Sequence, residues 1–334
     1  MAFFKFGKPK SYLGIDIGSY AIKVAEVSSS LPLKLLSFGQ VRVPPGGIIG
    51  AEEEIVEKLK FLFQNLRIKS KKATVSISSY SSIIKRLEIS IPEEKTLDEA
   101  IREEAEAHIP FNLNDVYLDY YIISEEDEKI EFIIAAAKKE LVDDIFELIS
   151  GAGINVEAID IDIIGLVNIF EYIYKLQDSC FLIDLGFTKT SVILVENNYI
   201  KNYRDLSVGT NIINQKLQDQ LNVGQEEAEK IKLKGQNKKK LVLAIKDYIE
   251  EAVKNIMETC KFLDDIENKK IFLSGGGAFY RQIYQKIKKD FNTEVELIKP
   301  FVKIDTIKTN KKTKETIEKV GLTAIGLAAR EILS

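Results

Sequence analysis

The chain carries two hairpins of the same design, YLGIDIGSYAIKV at residues 12–24 and CFLIDLGFTKTSV at residues 180–192. Each has an apolar strand that ends in an aspartate, a turn with glycine and serine or threonine, and a second apolar strand. One copy alone would be compatible with an ordinary hairpin built on an Asp-x-Gly turn. Two matched copies of this length predict a duplicated lobe whose halves face each other.

The two turns have the chemistry of a site for a polyphosphate and its magnesium ion. Mg²⁺ prefers hard oxygen ligands and keeps much of its water shell, so we expect Asp16 and Asp184 to reach it through water. Gly18 and Gly186 let the backbone approach phosphate oxygens, and successive turn amides bind anions. Lys23 supplies a point charge for a bridging phosphate. Further hydroxyl donors are those of Ser19, Thr188 and Thr190.

A glycine-rich stretch follows the short apolar strand at residues 270–273 and precedes an amphipathic helix predicted from about Phe279. Its three consecutive glycines let the backbone pass flat against a ring or a phosphate. They are Gly275, Gly276 and Gly277. Alone, this pattern is a weak signal, but after two Asp-x-Gly hairpins it is a strong indication of a nucleotide site.

In this order the motifs resemble those of the actin-like ATPase superfamily, whose two phosphate motifs and adenosine motif match the three stretches above. Glu229 and Lys232 match the family's Glu-x-x-Lys helix against the ribose; a solvated helix face is the alternative. The resemblance implies bound ATP or ADP with Mg²⁺, with Tyr20 and Phe187 also in the site. Phe187 and Lys189 are bulky for a phosphate turn, which bears on hydrolysis more than on binding.

Composition bounds the class of protein. The chain has 334 residues, 45% of them hydrophobic and 29% charged, which is enough for two to four compact domains. A net charge of −4 gives no global electrostatic case for nucleic acid, and two cysteines give no disulfide framework or zinc spacing. No apolar run approaches the roughly 18 residues that span a bilayer, and there is no signal peptide. We therefore expect a cytoplasmic protein.

We predict an α/β protein of actin-like fold, with duplicated ribonuclease-H-like lobes and one inserted α+β domain. The inserted segment has the order strand, helix, strand, strand, helix, strand, a compact split-βαβ (βαββαβ) pattern. Its first helix begins with a capping box of Thr96 and Glu99 and ends at Pro110. The sequence predicts a flexible leader at 1–10, followed by a first lobe at 11–82 that is rejoined by about 163–178 and 320–334. The inserted domain is predicted at 83–162. The second lobe is predicted at 179–212 plus 268–319, with a helical subdomain at 213–267.

The inserted domain resembles that of the bacterial division protein family FtsA and, more closely, the PilM family of type IV pilus assembly proteins. The resemblance runs from about residue 11 to the C-terminal end. The stretches that carry it are EAEAHIPF at 104–111, NDVYLDY at 114–120, VEAIDID at 156–162, RDLSVG at 204–209 and GLTAIGLAAR at 321–330. In the third of them, Asp162 stands where Glu is expected.

The PilM resemblance implies a cytoplasmic scaffold that is peripheral to the inner membrane through protein partners. It implies a contact with the N-terminal tail of the bitopic membrane protein PilN, in a groove between the first lobe and the inserted domain. Other platform proteins, and self-association into an oligomer or ring, also come with the resemblance. The candidate groove residues are Ile109, Pro110, Phe111, Tyr117, Tyr120 and Tyr121. Packing in the core of the inserted domain is the alternative for each.

Hydrolysis would need a group that orients water near the γ-phosphate. Asp160 and Asp162, on the return into the first lobe, are the candidates. We expect slow turnover at most, with nucleotide acting as a structural switch. Two other functions stay open at this point. One is an FtsA-like, membrane-associated filament protein, and the other is a small-molecule kinase of the sugar-kinase type, against which the inserted domain argues.

Overall fold

The structure is a computed structural model that describes residues 11–90, 95–126, 129–176, 178–306 and 311–333. The predicted leader at residues 1–10 lies outside these ranges. The strands are β1 Ser11–Ile17, β2 Ala21–Ser28, β3 Lys34–Arg42, β4 Lys72–Ile77, β5 Ser82–Ser90, β6 Val116–Glu126, β7 Lys129–Lys138, β8 Asn155–Ile161, β9 Cys180–Leu185, β10 Thr190–Glu196, β11 Tyr199–Leu206, β12 Ile271–Ser274, β13 Val295–Leu297 and β14 Asp305–Thr306.

Helices pack against these sheets. They are α1 Glu52–Leu66, α2 Leu97–His108, α3 Lys139–Gly151, α4 Asp162–Tyr174, α5 Asn211–Leu221, α6 Gln225–Lys234, α7 Lys238–Leu263, α8 Arg281–Phe291, α9 Lys311–Val320 and α10 Leu322–Leu333. Within the described ranges, none of them combines the length and the apolar character needed to cross a bilayer.

Two of the sheets repeat one topology, which confirms the predicted duplication. The first lobe has the strand order β14-β3-β2-β1-β4-β8, and the second lobe has β11-β10-β9-β12-β13. In each, an antiparallel three-strand meander continues into parallel strands. The central strands are apolar on both faces because helices cover both sides; Ile15 and Ile183, for example, are fully buried.

The inserted domain is smaller than predicted. Its sheet has the order β5-β7-β6, and α2 packs on one face through Ile101 and Ala105, against Phe132 and Ile134. The predicted capping box of α2 is present. However, β8 pairs with β4 in the first-lobe sheet, and α3 packs into the first-lobe core. The predicted boundary at residue 162 is therefore wrong, because strand patterning does not tell which sheet a strand joins.

The second boundary that differs is the return from the second lobe. We predicted it at about residue 320, but β14 already pairs in parallel with β3, aligning Asp305 with Lys34. The buried side chains of Ile298 and Ile304 belong to the first-lobe core as well. A strand of two residues carries too little pattern to be recognised from sequence.

Glycine allows the last helix to lie directly against the first lobe. A Cβ atom on Gly326 of α10 would stand 1.8 Å from the carbonyl oxygen of Gly165 in α4, and one on Gly14 of β1 would stand 2.0 Å from the carbonyl oxygen of Ala324. Real Cβ atoms do not approach so closely, so these three elements touch through their backbones. The contact seals the core of the first lobe.

This packing predicts the effect of adding one methyl group. We expect Gly326→Ala to lower the free energy of unfolding by roughly 3 kcal/mol, because the new Cβ forces α4 and α10 apart. Gly46→Ala is the control: nothing lies within 4 Å of its ideal Cβ, and we expect a change below about 1 kcal/mol. Urea unfolding of both variants measures the difference, and equal stability of the two would contradict the close contact.

Candidate functional site

The two predicted aspartates occupy equivalent positions in the two lobes. Asp16 follows the core residues of β1 and Asp184 those of β9. Each accepts a hydrogen bond from a serine on the neighbouring parallel strand: Ser76 Oγ to Asp16 at 3.3 Å and Ser274 Oγ to Asp184 at 2.6 Å. These serines orient the carboxylates. They were missed from the sequence, although comparing the strands that flank the two hairpins would have found them.

Positive charge converges on the aspartates. Lys23 Nζ lies 2.9 Å from Asp16 Oδ2. Burial alone would lower the pKa of Lys23, but Asp16, Asp184 and Asp162 together raise it. Burial raises the pKa of Asp184, with further like-charge contributions from Asp16 and Asp162, although Ser274 and Lys23 oppose the shift. The junction of the lobes therefore concentrates buried carboxylates around Lys23, and their mutual repulsion and burial disfavour the charged form of Asp184.

The second turn is held rigidly against the start of α5. The amides of Thr210 and Asn211 donate to the carbonyls of Gly186 and Phe187 at 3.1 and 2.8 Å. A Cβ at Gly209 would lie 2.2 Å from the Phe187 carbonyl oxygen, so glycine is required at that position. Thr190, predicted as a phosphate donor, is fully buried, and its hydroxyl donates to the backbone of the same segment instead.

The two turns face each other across the junction, as the duplication predicted. Thr188 Oγ1 donates to Ser19 Oγ at 2.8 Å, and the rings of Tyr20 and Phe187 lie 5.1 Å apart. Tyr20 also donates its hydroxyl to Glu229 at 3.0 Å. Burial, and then the neighbouring Glu229 carboxylate, raise the pKa of Tyr20 to about 12. Residues of both lobes thus contact one another directly across the junction.

Glu229 and Lys232 do not lie on a solvated helix face. Glu229 is 3% exposed and lies 2.6 Å from Lys232 Nζ. Asn214 donates to it at 2.6 Å, and Arg42 is 3.7 Å away. Burial would raise the pKa of Glu229, but Lys232, Asn214 and Tyr20 lower it. A buried, charged and well-partnered carboxylate is the kind of group that can accept hydrogen bonds from ribose hydroxyls.

The predicted glycine triplet forms a tight turn beside β9. Gly275 has a φ of +86°, and its Cβ would lie 2.5 Å from the Leu185 carbonyl oxygen. Gly277 is equally confined by Leu185 and Tyr248, whereas the Cβ position of Gly276 is open. The backbone is thus exposed to a ligand at Gly276. A 3-10 turn over Gly276–Phe279 replaces the predicted start of the helix.

Lys189, interpreted from sequence only as a bulky turn residue, bridges the lobes. Its Nζ lies 2.9 Å from Asp162 of the first lobe and 3.4 Å from Asp205 of the second, and it also contacts Ser79 Oγ. Ser79 donates its hydroxyl to Asp205 at 2.7 Å and its amide to Asp162 at 2.9 Å. Ser79 lies in no recognisable motif and was missed. Asp205 lies in the RDLSVG stretch that carries the family resemblance, but it was not predicted as a site residue.

The two candidate catalytic aspartates occupy different surroundings. Asp162 contributes to the electrostatics of Lys23 and Asp184 and pairs with Lys189. Asp160 pairs with Arg330 of α10 at 3.4 Å, and burial raises its pKa. Both carboxylates are engaged in ion pairs, which favours structural roles over water orientation.

The predicted groove residues divide into two groups. Ile109 is buried in the core of the inserted domain and cannot line a groove, so that prediction was wrong. Tyr120 packs beside the same core and donates its hydroxyl to Asp98 at 2.6 Å. The others are exposed: Pro110, Phe111, Tyr117 and Tyr121. Tyr121 also lies with its ring 5.9 Å from that of Tyr199 in the second lobe.

A family model described as type IV pilus assembly protein PilM matches residues 14–332. The chain belongs to this family. A structure titled "PilM-PilN type IV pilus biogenesis complex" has a TM-score of 0.85 at 22% identity, covering 97% of this chain and 99% of that one. This PilM-family chain also resembles two more distant folds.

The first is the ethanolamine utilization protein EutJ from Carboxydothermus hydrogenoformans, with a TM-score of 0.56, 15% identity, and coverage of 96% of this chain and 90% of that one. The second is MreB 5 of Spiroplasma citri bound to AMPPNP, with a TM-score of 0.50, 13% identity, and coverage of 87% and 92%. Together with the duplicated sheets, these similarities confirm the actin-like fold.

The electrostatics of Asp184 predict a pH-dependent stability. Because folding raises the pKa of Asp184, the folded protein holds this proton more tightly than the unfolded chain does. Deprotonation above the folded-state pKa therefore costs stability. We expect Asp184→Asn to stabilise the protein at pH 7 by about 0.5–2 kcal/mol. The advantage should disappear as the pH falls toward the unfolded pKa near 4.

Urea unfolding of wild type and variant between pH 7 and pH 4.5 checks this expectation. The exposed Asp219→Asn serves as the control and should follow wild type throughout. An Asn variant that is less stable than wild type at pH 7 would mean that the contacts from Ser274 and Lys23 outweigh burial.

Proposed function

We propose that this PilM-family protein is a nucleotide-controlled scaffold of the type IV pilus inner-membrane assembly platform, and that it binds the cytoplasmic N-terminal tail of a PilN-like membrane protein. The observation that carries the proposal is the pair of facing turns, which brings Asp16, Asp184 and their cations to one junction between two lobes. The similar structure titled as a PilM-PilN complex supports the choice of partner.

The residues at the junction fit a nucleotide with Mg²⁺. Asp16 and Asp184 would hold the ion through its water shell, since each carboxylate is already oriented by a serine. The turns around Gly18 and Gly186 would bind the phosphates. Adenosine would lie against Gly275–Gly277, with Glu229 and Lys232 at its ribose. Bound Mg²⁺ would supply positive charge that reduces the repulsion among these carboxylates.

Nucleotide binding is coupled to the arrangement of the lobes in this proposal. A ribose that binds Glu229 competes with the Tyr20 hydroxyl for the same carboxylate. Phosphates between the turns compete with the contact of Ser19 and Thr188. The direct contacts of Tyr20 with Glu229 and of Ser19 with Thr188 would therefore give way to contacts with the ligand when a nucleotide is bound. A partner that prefers one lobe arrangement must then respond to nucleotide, and nucleotide to the partner.

Hydrolysis is a secondary feature of this function. Asp160 and Asp162 are both paired with cations, so neither is poised to orient a water molecule. We infer that nucleotide acts mainly as a switch and that any turnover is slow.

The tail groove is best assigned to the side of the inserted sheet that faces the first lobe. β6 is an edge strand, and alternate side chains place Tyr117, Asp119 and Tyr121 on one side of the sheet. Tyr117 and Asp119 lie toward the first lobe, whereas Tyr121 lies beside Tyr199 of the second. Asp143 of α3 accepts the Tyr117 hydroxyl at 3.1 Å, and Asp119 acts on Asp160. The surface is acidic and aromatic. Cytoplasmic segments next to a membrane span are rich in Lys and Arg, and an extended tail could add to the edge of β6.

This assignment also accounts for location. A protein that holds a cytoplasmic tail of a membrane protein is itself cytoplasmic and peripheral to the inner membrane through that partner. Contacts with other platform proteins, and self-association into a ring, belong to the same proposal.

Titration of the labelled N-terminal tail peptide of a PilN-like partner, with and without ATP·Mg²⁺, tests the function. We expect micromolar or tighter binding whose affinity changes with nucleotide. Asp16→Ala should keep peptide binding and lose the nucleotide dependence. Asp119→Lys combined with Asp143→Lys should weaken the peptide by about tenfold or more and leave ATP binding unchanged.

The exposed Asp219→Lys is the matched charge control and should behave as wild type. Absence of peptide binding, with ATP binding intact, would remove the scaffold assignment. Peptide binding that ignores nucleotide in wild type would remove the switch and keep the scaffold.

A further inference from the structure

A second groove lies between the inserted domain and the second lobe. It has a volume of about 640 Å³ and is lined by one segment of β5 and one of β11, with His108 at the end of α2. β5 and β11 are each the edge strand of their sheet. Tyr203 of β11 reaches across and donates its hydroxyl to the Ser82 carbonyl at 3.3 Å, which closes one end of the groove.

The groove has the opposite charge to the proposed tail groove. Its Lys and Arg residues are Lys85, Arg86, Lys201 and Arg204. Its carboxylate is Asp205, and that one already interacts with Lys189 and Ser79. The lining is therefore basic even though the whole chain has a net charge of −4.

Not all four cations are equally available. Arg86 and Lys201 are paired with Glu131 and Glu196 at 2.6 and 2.8 Å. Lys85 and Arg204 have no carboxylate partner in the described part of the chain; Arg204 stands 4.5 Å above the ring of the exposed Phe262.

Arg86 is held between the inserted domain and the second lobe. Its side chain is 12% exposed, its Nε atom lies 2.6 Å from Glu131, and its buried Nη1 atom lies 3.8 Å from Glu196. Arg86 therefore adds positive charge to the lining, but its guanidinium is already engaged by two carboxylates, so the charges free to meet a ligand are those of Lys85 and Arg204.

We propose that this groove binds an extended, carboxylate-rich segment of a partner protein. Two edge strands leave rows of alternating N–H and C=O groups, and the ligand that satisfies such a row is another extended backbone. Lys85 and Arg204 select carboxylate side chains. The site is distinct from the tail groove, because β5 and β6 are opposite edges of the same sheet.

The structure favours a polypeptide over a nucleic acid for this site. Single-stranded nucleic acid is bound by basic grooves that also offer aromatic faces for base stacking. The aromatic residues of the lining are Tyr80 and Tyr203, and each has its hydroxyl tied to another segment of the chain, Ser207 and Ser82 respectively.

Fluorescence anisotropy with the purified full chain tests the proposal. The probe is a fluorescein-labelled ten-residue peptide of alternating Glu and Val, blocked at both ends. A matched peptide of Lys and Val tests charge, and the Glu-Val peptide with alternate amides N-methylated tests main-chain hydrogen bonding. We expect the acidic peptide to bind, and both comparison peptides to bind about tenfold or more weakly.

Lys85→Glu combined with Arg204→Glu should weaken the acidic peptide by about tenfold or more. Lys239→Glu combined with Lys254→Glu makes the same charge change on exposed positions of α7 and should stay within about twofold of wild type. Thermal unfolding of both variants verifies that they fold. Equal weakening in the two double variants, or equal binding of the Lys-Val peptide, would overturn the proposal.

Two further measurements separate this site from the other assignments. The Asp119→Lys, Asp143→Lys variant should bind the acidic peptide as wild type does, so failure of the tail groove would leave this site untouched. Sedimentation of the protein alone tests whether a second copy of the chain fills the groove instead. Self-association that is lost in Lys85→Glu, Arg204→Glu would mean that it does, and would overturn the assignment to a partner protein.

Discussion

Buried charge at the junction of the two lobes is the constraint on which the rest of this structure depends. Three carboxylates, those of Asp16, Asp184 and Asp162, act on one another across the junction, with Lys23 and Lys189 among them. Charges removed from water are tolerated only when they are paired and hydrogen-bonded. The paired serines, the rigid second turn and the bridge from Lys189 to both lobes all serve that requirement.

The features predicted well from sequence are those that depend on a short contiguous stretch and that occur in both lobes. Each hairpin is recognisable in the sequence from its apolar strands, its aspartate and its glycine turn. The fold, and the position of Asp16 opposite Asp184, could therefore be predicted directly. The parts predicted poorly depend on pairing over long distances. Nothing in the pattern of β8 says that it joins β4, and nothing near Ser79 says that it meets Lys189, a residue far along the chain. Ile109 was misassigned because an apolar residue next to a proline turn has the same sequence pattern whether it packs in a core or lines a groove.

The inserted domain presents two edges of opposite character from a single three-stranded sheet. The edge strand β6 carries tyrosines and carboxylates, whereas the edge strand β5 carries cations that face the second lobe. Sheet edges usually need protection against unwanted pairing. Here the two edges differ in charge, so under the two proposals made above a chain that adds at one edge would be repelled from the other.

The close backbone contact of α10 with β1 and α4 has a consequence for how the protein is made. The first strand of the first lobe finds its covering helix only in residues 322–333, after the whole second lobe has been synthesised. On a ribosome, where domains fold as they emerge, the second lobe can complete its core while the first still exposes Ile15 and its neighbours. The first lobe can therefore complete its core only after the second lobe has been translated, although its own first strand is made first.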